Sequence, residues 1–281
     1  GKLDVSYGSF NSFKTSIQAN TGLIKGKYFV ETRLSRIGSD GYIDRASSNL
    51  RSWYLSAGWV GKQTVLKGVA FSGKEITYQA WYGTPESRVS GSLEAMQAYI
   101  DRNYLSADEA KNLLSSGRTY NYYTYANQID NYAQDHLQLL THHQLSPAWN
   151  LDLNAHYTYG RGYFEEFKPE AALENYGINS KMSTDLVRQK WLDNDFYGTT
   201  FSSNYKKKKL NLVIGGAYNK YEGAHFGNVI WARFASQSEL GDRYYDDFAT
   251  KTDGNLFVKA NFQLSEKVSL YGDLQIRNVH Y

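Results

Sequence analysis

The sequence contains no cysteine and only three prolines. A disulfide-stapled scaffold and any cysteine-based zinc site are therefore excluded. It also lacks a run of about 18 apolar residues, so no segment can cross a bilayer as a helix. No basic-then-apolar leader opens it, and no signal peptide is expected. Charge of one sign is equally scarce. The 31 Lys and Arg against 28 Asp and Glu leave +3 at pH 7, too little and too evenly mixed for a nucleic-acid partner. At 281 residues the chain has room for one large β domain or two ordinary ones.

What is abundant is aromatic surface: 25 Tyr, 13 Phe and 6 Trp, or 16% of the chain. Tyr and Trp join an apolar body to a polar tip and suit membrane interfaces and binding surfaces. A soluble β-sandwich or a carbohydrate-binding module can share this composition. The mean hydropathy of −0.58 fits a soluble protein. It fits equally a transmembrane barrel, whose strands alternate lipid-facing and lumen-facing residues and whose loops are polar.

Alternation with period two is long and repeated. From Phe13 to Leu23 the apolar or small set Phe13, Thr15, Ile17, Ala19, Thr21 and Leu23 is interleaved with Lys14, Ser16, Gln18, Asn20 and Gly22. The same holds for Leu151–Tyr159, set against Asp152, Asn154, His156 and Thr158, and for Val268–Ile276, set against Ser269, Tyr271, Asp273 and Gln275. Each reads as a strand with one greasy and one wet face. Further strands are expected near 3–9, 27–37, 50–60, 63–73, 131–145, 195–205, 209–220 and 253–264. That makes about eleven, many at or above the 9–11 residues that a tilted strand needs to cross a bilayer.

Short and long connections take turns along the chain. Tight turns are expected at Ile24–Lys27, Gly61–Gln63, Ser146–Asn150, Lys206–Lys209 and Ser265–Lys267, with a further tight connection at Ser9–Ser12. Long connections are expected at 38–49, 74–130, 160–194 and 221–252. Periplasmic turns are short and extracellular loops long in outer-membrane barrels. The expectation is therefore an all-β, antiparallel transmembrane β-barrel, with the first and last strands running outward. Because a barrel must close to remove its edges, residues 1–281 are expected to be one partial barrel. Phe13, Ile17, Leu23, Leu151, Leu153, Leu270 and Leu274 should face lipid. Within 74–130, the form Ser106-Ala-Asp-Glu109 predicts a capping box opening a short helix that ends near Gly117. A tyrosine-rich stretch, Tyr120–Tyr132, follows it.

These segments resemble a known family. "GKLDVSYGSFNSFKTSIQANTGLI" (1–24), with its Gly-Ser-Phe turn, resembles the start of the barrel in TonB-dependent receptors. "RLSRIGSDGYIDRASSNLRSWYLSAGW" (33–59), "KEITYQAWYGTPE" (74–86), "RQKWLDNDFYGTTFS" (188–202) and the stretch 228–281 resemble the Bacteroidetes branch. The resemblance extends over nearly the whole chain and is specific as a set. It implies a barrel of about 22 strands around an N-terminal plug. It also implies a TonB box that couples uptake to TonB, ExbB and ExbD through an N-terminal region this sequence does not include. The chain should then be the front half of the barrel. The implied ligand is a scarce nutrient such as a ferric siderophore, with cobalamin or another chelate as alternatives. A non-transporting surface binding or adhesion β protein is the competing class.

The aromatic loop residues Tyr78, Trp81, Tyr82, Tyr120, Tyr122, Tyr123 and Tyr125 are the first candidates for ligand contact, because Tyr and Trp give large contact area at modest entropic cost. The alternative is that they pack loops together or form an interfacial girdle. His225, Trp231, Arg233, Tyr244 and Tyr245 are further candidates, and arginines there could hold an anionic chelate by charge-assisted hydrogen bonds. Arg243 is expected instead to join Asp242, Asp246 and Asp247. A metal site is not expected: His142 and His143 point to opposite faces. His136, His142 and His156 lack a supporting carboxylate cluster and read as lumen-lining. Lys206–Lys209 reads as a solvated turn. Asp152, Asp195, Glu165 and Glu166 form no pair at a defined spacing, and no nucleophile elbow or phosphate loop occurs. Neither enzymatic activity nor a cofactor is expected.

Overall fold

Eleven segments of the chain are extended, and the computed structural model, which describes residues 1–234 and 238–281, joins them in one antiparallel sheet in strict chain order. The strands are β1 (Lys2–Gly8), β2 (Ser12–Asn20), β3 (Tyr28–Ser39), β4 (Ser48–Val60), β5 (Thr64–Tyr78) and β6 (Ile129–Ser146). They continue with β7 (Trp149–Ala172), β8 (Ser183–Lys207), β9 (Leu210–Ala232), β10 (Arg243–Gln263) and β11 (Ser269–His280). The arrangement is an arc of barrel wall, as the alternation predicts.

The register sorts side chains into two faces. In one cross-strand row Ile17 opposes Leu34, Leu34 opposes Trp53, and Leu3 opposes Ile17. In another, Leu55 meets Ala70, then Leu137, then Tyr157 and Tyr197. Farther along, Gly216, Leu256 and Ile276 align, as do Ile214, Val258 and Leu274. Apart from Ala70 and Gly216, these residues are apolar or aromatic yet exposed: Ile17 is 53% exposed, Leu137 55% and Leu274 79%. An apolar face that no second layer covers is the lipid-facing surface of a transmembrane barrel.

Aromatic residues bound this band on both sides. Tyr28 and Trp59 oppose each other at the short-turn end, where Trp149 opposes Tyr205. Tyr7 opposes Phe13, and Tyr157 opposes Tyr197, at the long-loop end. Beyond the Tyr157–Tyr197 row the same face turns charged, with Arg36, Arg51, Lys74, Asp135 and Asp195, and Phe13, opposite Gly38, stands one outward position past Arg36. On the alternate positions Ser35, Ser52, Gln134, His136, Asn154, His156 and Asn219 line the lumen. Phe13, Ile17, Leu151, Leu153, Leu270 and Leu274 fall on the lipid face as expected. Leu23 does not belong to that register, because β2 ends at Asn20 and Leu23 lies in the turn.

Two of the long connections are shorter than expected. The stretch 160–194 is mostly ladder: β7 runs on to Ala172 and β8 starts at Ser183, leaving a 3-10 turn (Leu173–Tyr176) and six further residues. Likewise β9 and β10 consume most of 221–252, whose residues 235–237 lie outside the described part. The physical reason is that these strands outrun the bilayer. Beyond it the outward face meets water and the inward face meets loops, so the greasy–wet contrast ends although backbone pairing continues. Glu165 and Glu166, adjacent in sequence, are both buried there.

The connection after β5 carries three helices, α1 (Glu86–Ser90), α2 (Leu93–Asn103) and α3 (Ala107–Ser115). The predicted capping box opens α3: the Glu109 N–H donates to Ser106 Oγ at 3.3 Å, and the Ser106 N–H donates to Glu109 Oε2 at 2.8 Å. α2 lies ahead of that signal. Ser92 caps it by accepting from the Ala95 N–H, and with alanine at the third helical position there is no reciprocal carboxylate to mark the start. Met96, Ile100, Leu113 and Tyr120 form the small core of this helical loop.

Candidate functional site

Where β5 leaves the sheet, three buried side-chain amides add to the backbone hydrogen bonds there. Gln79 Nε2 donates to the carbonyls of Ile129 and Glu165, both at 3.3 Å, and its Oε1 accepts from Gln128 Nε2 at 3.1 Å. Gln128 Oε1 in turn accepts the Phe167 N–H at 3.0 Å. Asn121, fully buried, donates to the carbonyls of Asp44 and Gln79 at 2.9 and 3.0 Å and accepts the Tyr123 N–H at 3.1 Å. Arg45 adds donors to the carbonyls of Tyr123 and Asn121. A buried amide that satisfies several backbone groups costs little to bury and much to lose. Residues 79–128 are thereby fastened to the 40–47 loop and to β7.

The aromatic candidates divide by environment. Tyr120 is 2% exposed in the helical core. Tyr78 is buried and donates to the Tyr125 carbonyl at 2.7 Å. Tyr125 donates to Glu165 Oε1 at 2.9 Å. These three hold the loop together. Tyr123 is mostly buried and packs edge-on to Trp81 and against Tyr82. Trp81 and Tyr82 are 55% and 60% exposed, and Tyr122, beside Tyr82, is exposed as well. Trp81 also lies edge-on to Phe164 of β7 at 5.5 Å.

On the lumen side the ends of β5–β10 frame an open chamber of about 390 Å³, lined in part by Glu75, Asp130, Tyr132, Phe164, Lys190, His225 and Tyr245. Register brings them together: Glu75 opposes Tyr132, Asp130 opposes Phe164, and Phe164 opposes Lys190. All lie beyond the aromatic row that ends the lipid band. Burial pushes the Asp130 carboxyl up to about 6, with Glu75 and Glu166 adding to the rise and a hydrogen bond from Trp81 opposing it. Burial lowers the Lys190 ammonium, helped by Arg188 and Lys168, and Lys190 sits 5.6 Å from the Phe164 ring. The chamber thus offers two carboxyls, one of them raised by burial, an ammonium, an imidazole and three phenols against aromatic walls.

Behind the chamber the acids are saturated. Glu165 also accepts from Asn127 at 2.7 Å and from Gln189 at 2.8 Å. Glu166 pairs with Arg188 at 2.6 Å, and Arg188 also donates to the Tyr176 hydroxyl. Tyr244 packs on Tyr176 and Tyr245, and burial raises its phenol.

Of the later candidates, His225 and Tyr245 reach the chamber. Trp231 is 44% exposed, and Arg233 pairs with Asp185 at 2.7 Å. Arg243 pairs with Asp246 and lies 3.7 Å from the Phe226 ring. His136, His142 and His156 share the lumen face and bond to Thr158, Asp152 and Asn219. Glu75, Asp130, Tyr132 and Lys190 are chamber residues that the loop-based reading did not select. Extending the lumen parity of Gln134 and His136 back along β6 would have reached Tyr132 and Asp130.

No family model and no curated protein matches the sequence. Solved structures do match in fold. The ferric-catecholate import receptor Fiu from E. coli K12, in its open form, superposes with a TM-score of 0.70 at 14% identity, over 98% of this chain and 43% of Fiu. FpvA of P. aeruginosa, bound to an iron–pyoverdine complex, gives 0.67 at 7% identity, over 99% of this chain and 36% of FpvA. The RagAB peptide transporter gives 0.59 at 14% identity, over 95% of this chain and 32% of that one. The chain therefore has the fold of a substantial arc of an import-receptor barrel and spans less than half the length of each of these proteins.

Proposed function

We propose that this chain is the forward part of the barrel of a TonB-dependent receptor in the outer membrane of a Gram-negative bacterium. Its extracellular loops and upper lumen would capture a scarce nutrient, and TonB with ExbB and ExbD would supply the energy for uptake. The observation that carries the reading is the chamber beneath the fastened 79–128 loop, which faces the lumen where an incoming ligand would pass. Its aromatic walls, set with carboxyls, an ammonium and an imidazole, suit holding and releasing a ligand, and the role proposed is transport without catalysis. The substrate proposed is an iron–siderophore complex. Aromatic or carbonyl-rich chelators would lie against Trp81 and Phe164, and Lys190 would meet their negative charge. Two of the fold neighbours handle ferric chelates, which favours this class over cobalamin or peptide.

The test is growth of a strain deleted for the gene on single defined sources of iron, cobalamin and peptide. Loss of growth on one ferric siderophore, restored by the wild-type gene and poorly by a Lys190→Ala, Tyr245→Ala variant, is the expected result. Normal growth on every iron source would refute the siderophore assignment. Growth loss on cobalamin or peptide alone would transfer the proposal to that ligand.

A further inference from the structure

Just beyond the lipid band, three cations stand side by side on the outward face. Arg36 of β3 is directly opposite Arg51 of β4, and Arg51 is directly opposite Lys74 of β5. At the usual strand spacing they span about 10 Å. All three are exposed, and among the described residues none of their side chains makes a hydrogen bond or has an acid within 4.0 Å. The Phe13 ring supports the Arg36 guanidinium at 5.4 Å. The nearest outward-facing acid in register, Asp135 of β6, lies diagonal to Lys74 and makes no ion pair with it. Like charges directly opposite one another destabilise a sheet. At the same level farther round the wall the sheet avoids the problem, since Arg161 opposes Asp193 and pairs with it at 3.5 Å. The unneutralised row therefore points to counter-charge from outside the protein.

Below this row, past the intervening pair Trp53 and Ser72, the lipid face is hollowed. Leu55, Ala57, Gly68, Ala70, Leu139 and Ala155 line an apolar groove of about 530 Å³. The hollow arises because small residues meet in register: Ala57 opposes Gly68, and Gly68 opposes Leu139, which opposes Ala155. A Cβ at Gly68 would meet nothing closer than 3.9 Å. Along β5 the groove begins four residues below Lys74, roughly 13 Å at the usual rise per residue.

We propose that this strip is a binding site for one phosphorylated glycolipid of the outer leaflet, with phosphates on Arg36, Arg51 and Lys74 and an acyl chain in the groove at Gly68. The groove is continuous with the lipid-facing surface, and the cations sit at headgroup level at the long-loop end, which is the extracellular end. A lipid fills both features at once, whereas a free anion fills only the upper one. The inference needs only the membrane-spanning wall and is independent of what the receptor imports.

The test is titration of the detergent-purified, delipidated protein with diphosphoryl lipid A and with its dephosphorylated form, read by native mass spectrometry. Wild type should retain one diphosphoryl lipid and bind the dephosphorylated form at least tenfold more weakly. The variant Arg36→Gln, Arg51→Gln, Lys74→Gln should lose roughly a hundredfold, taking the contribution typical of a Lys or Arg at an anionic bilayer surface. Gly68→Leu, which fills the groove and leaves the charges in place, should weaken both lipids. Arg33→Gln, on the lumen face, should change neither. Heat-modifiable migration on a denaturing gel checks that each variant is folded. Equal affinity of wild type and the triple variant, equal binding of the two lipids, or displacement by excess inorganic phosphate would overturn the proposal.

Discussion

Asn121→Ala should release the 79–128 loop while leaving the barrel wall intact. Asn121 is fully buried and its side chain makes three hydrogen bonds, to the Asp44 carbonyl, the Gln79 carbonyl and the Tyr123 N–H. A typical net contribution of about 1 kcal/mol per bond gives about 3 kcal/mol for the set. The stranded backbone groups should raise this somewhat, and water entering the opened space should lower it. None of the three bonds belongs to the strand ladders, so the cost should appear as local opening. At about 1.4 kcal/mol per factor of ten, the opening equilibrium of the loop should rise about a hundredfold. Hydrogen exchange measured by mass spectrometry resolves this. Peptides from 79–128 and 40–47 should lose about two decades of protection, and peptides from 149–160 and 195–205 should lose none. Unchanged loop protection would refute the anchoring argument, and equal loss across the whole chain would show that the amide supports the barrel instead.

Three further outcomes are expected. Asp130 is raised to about 6 from an ordinary 3.8, so its neutral form is favoured in the folded state. Its contribution should be fully present below about pH 4 and lost as pH rises through about 6. Tryptophan fluorescence should show a transition near 6 that is absent in Asp130→Asn, and a midpoint near 4 would contradict the burial argument. Leu139→Arg, in the middle of the lipid band, should cost about 2–4 kcal/mol in urea unfolding from lipid vesicles, whereas Gln138→Arg, one residue away on the lumen face, should cost far less. Equal costs would mean that the two faces are misassigned. Ser106→Ala removes the capping box and should destabilise α3 by about 1 kcal/mol, seen as faster exchange confined to 104–116.

The bilayer explains why so much of the wall was legible in the sequence and why its upper part was not. Along Phe13–Leu23, Leu151–Tyr159 and Val268–Ile276 one face must satisfy hydrocarbon and the other water, so each residue announces its side. Above the aromatic row that demand ends. The strands formed by 160–172 and 183–194 carry Glu165 and Glu166 buried together, and no alternation reveals them. The capping box of α3 was readable because it is local chemistry. The buried amides Gln79, Asn121 and Gln128 were not, since, apart from the Tyr123 N–H, their partners lie 39 to 86 residues away.

The sequence by itself determined that the chain is barrel wall, roughly where its strands cross lipid, and which side chains face it. Register, which only the tertiary structure decides, did the rest. A shift of one residue between β3 and β4 would carry every side chain to the other face. It would separate Arg36 from Arg51 and Lys74. Glu75, Asp130, Lys190 and His225 meet only because β5 through β9 pair as they do.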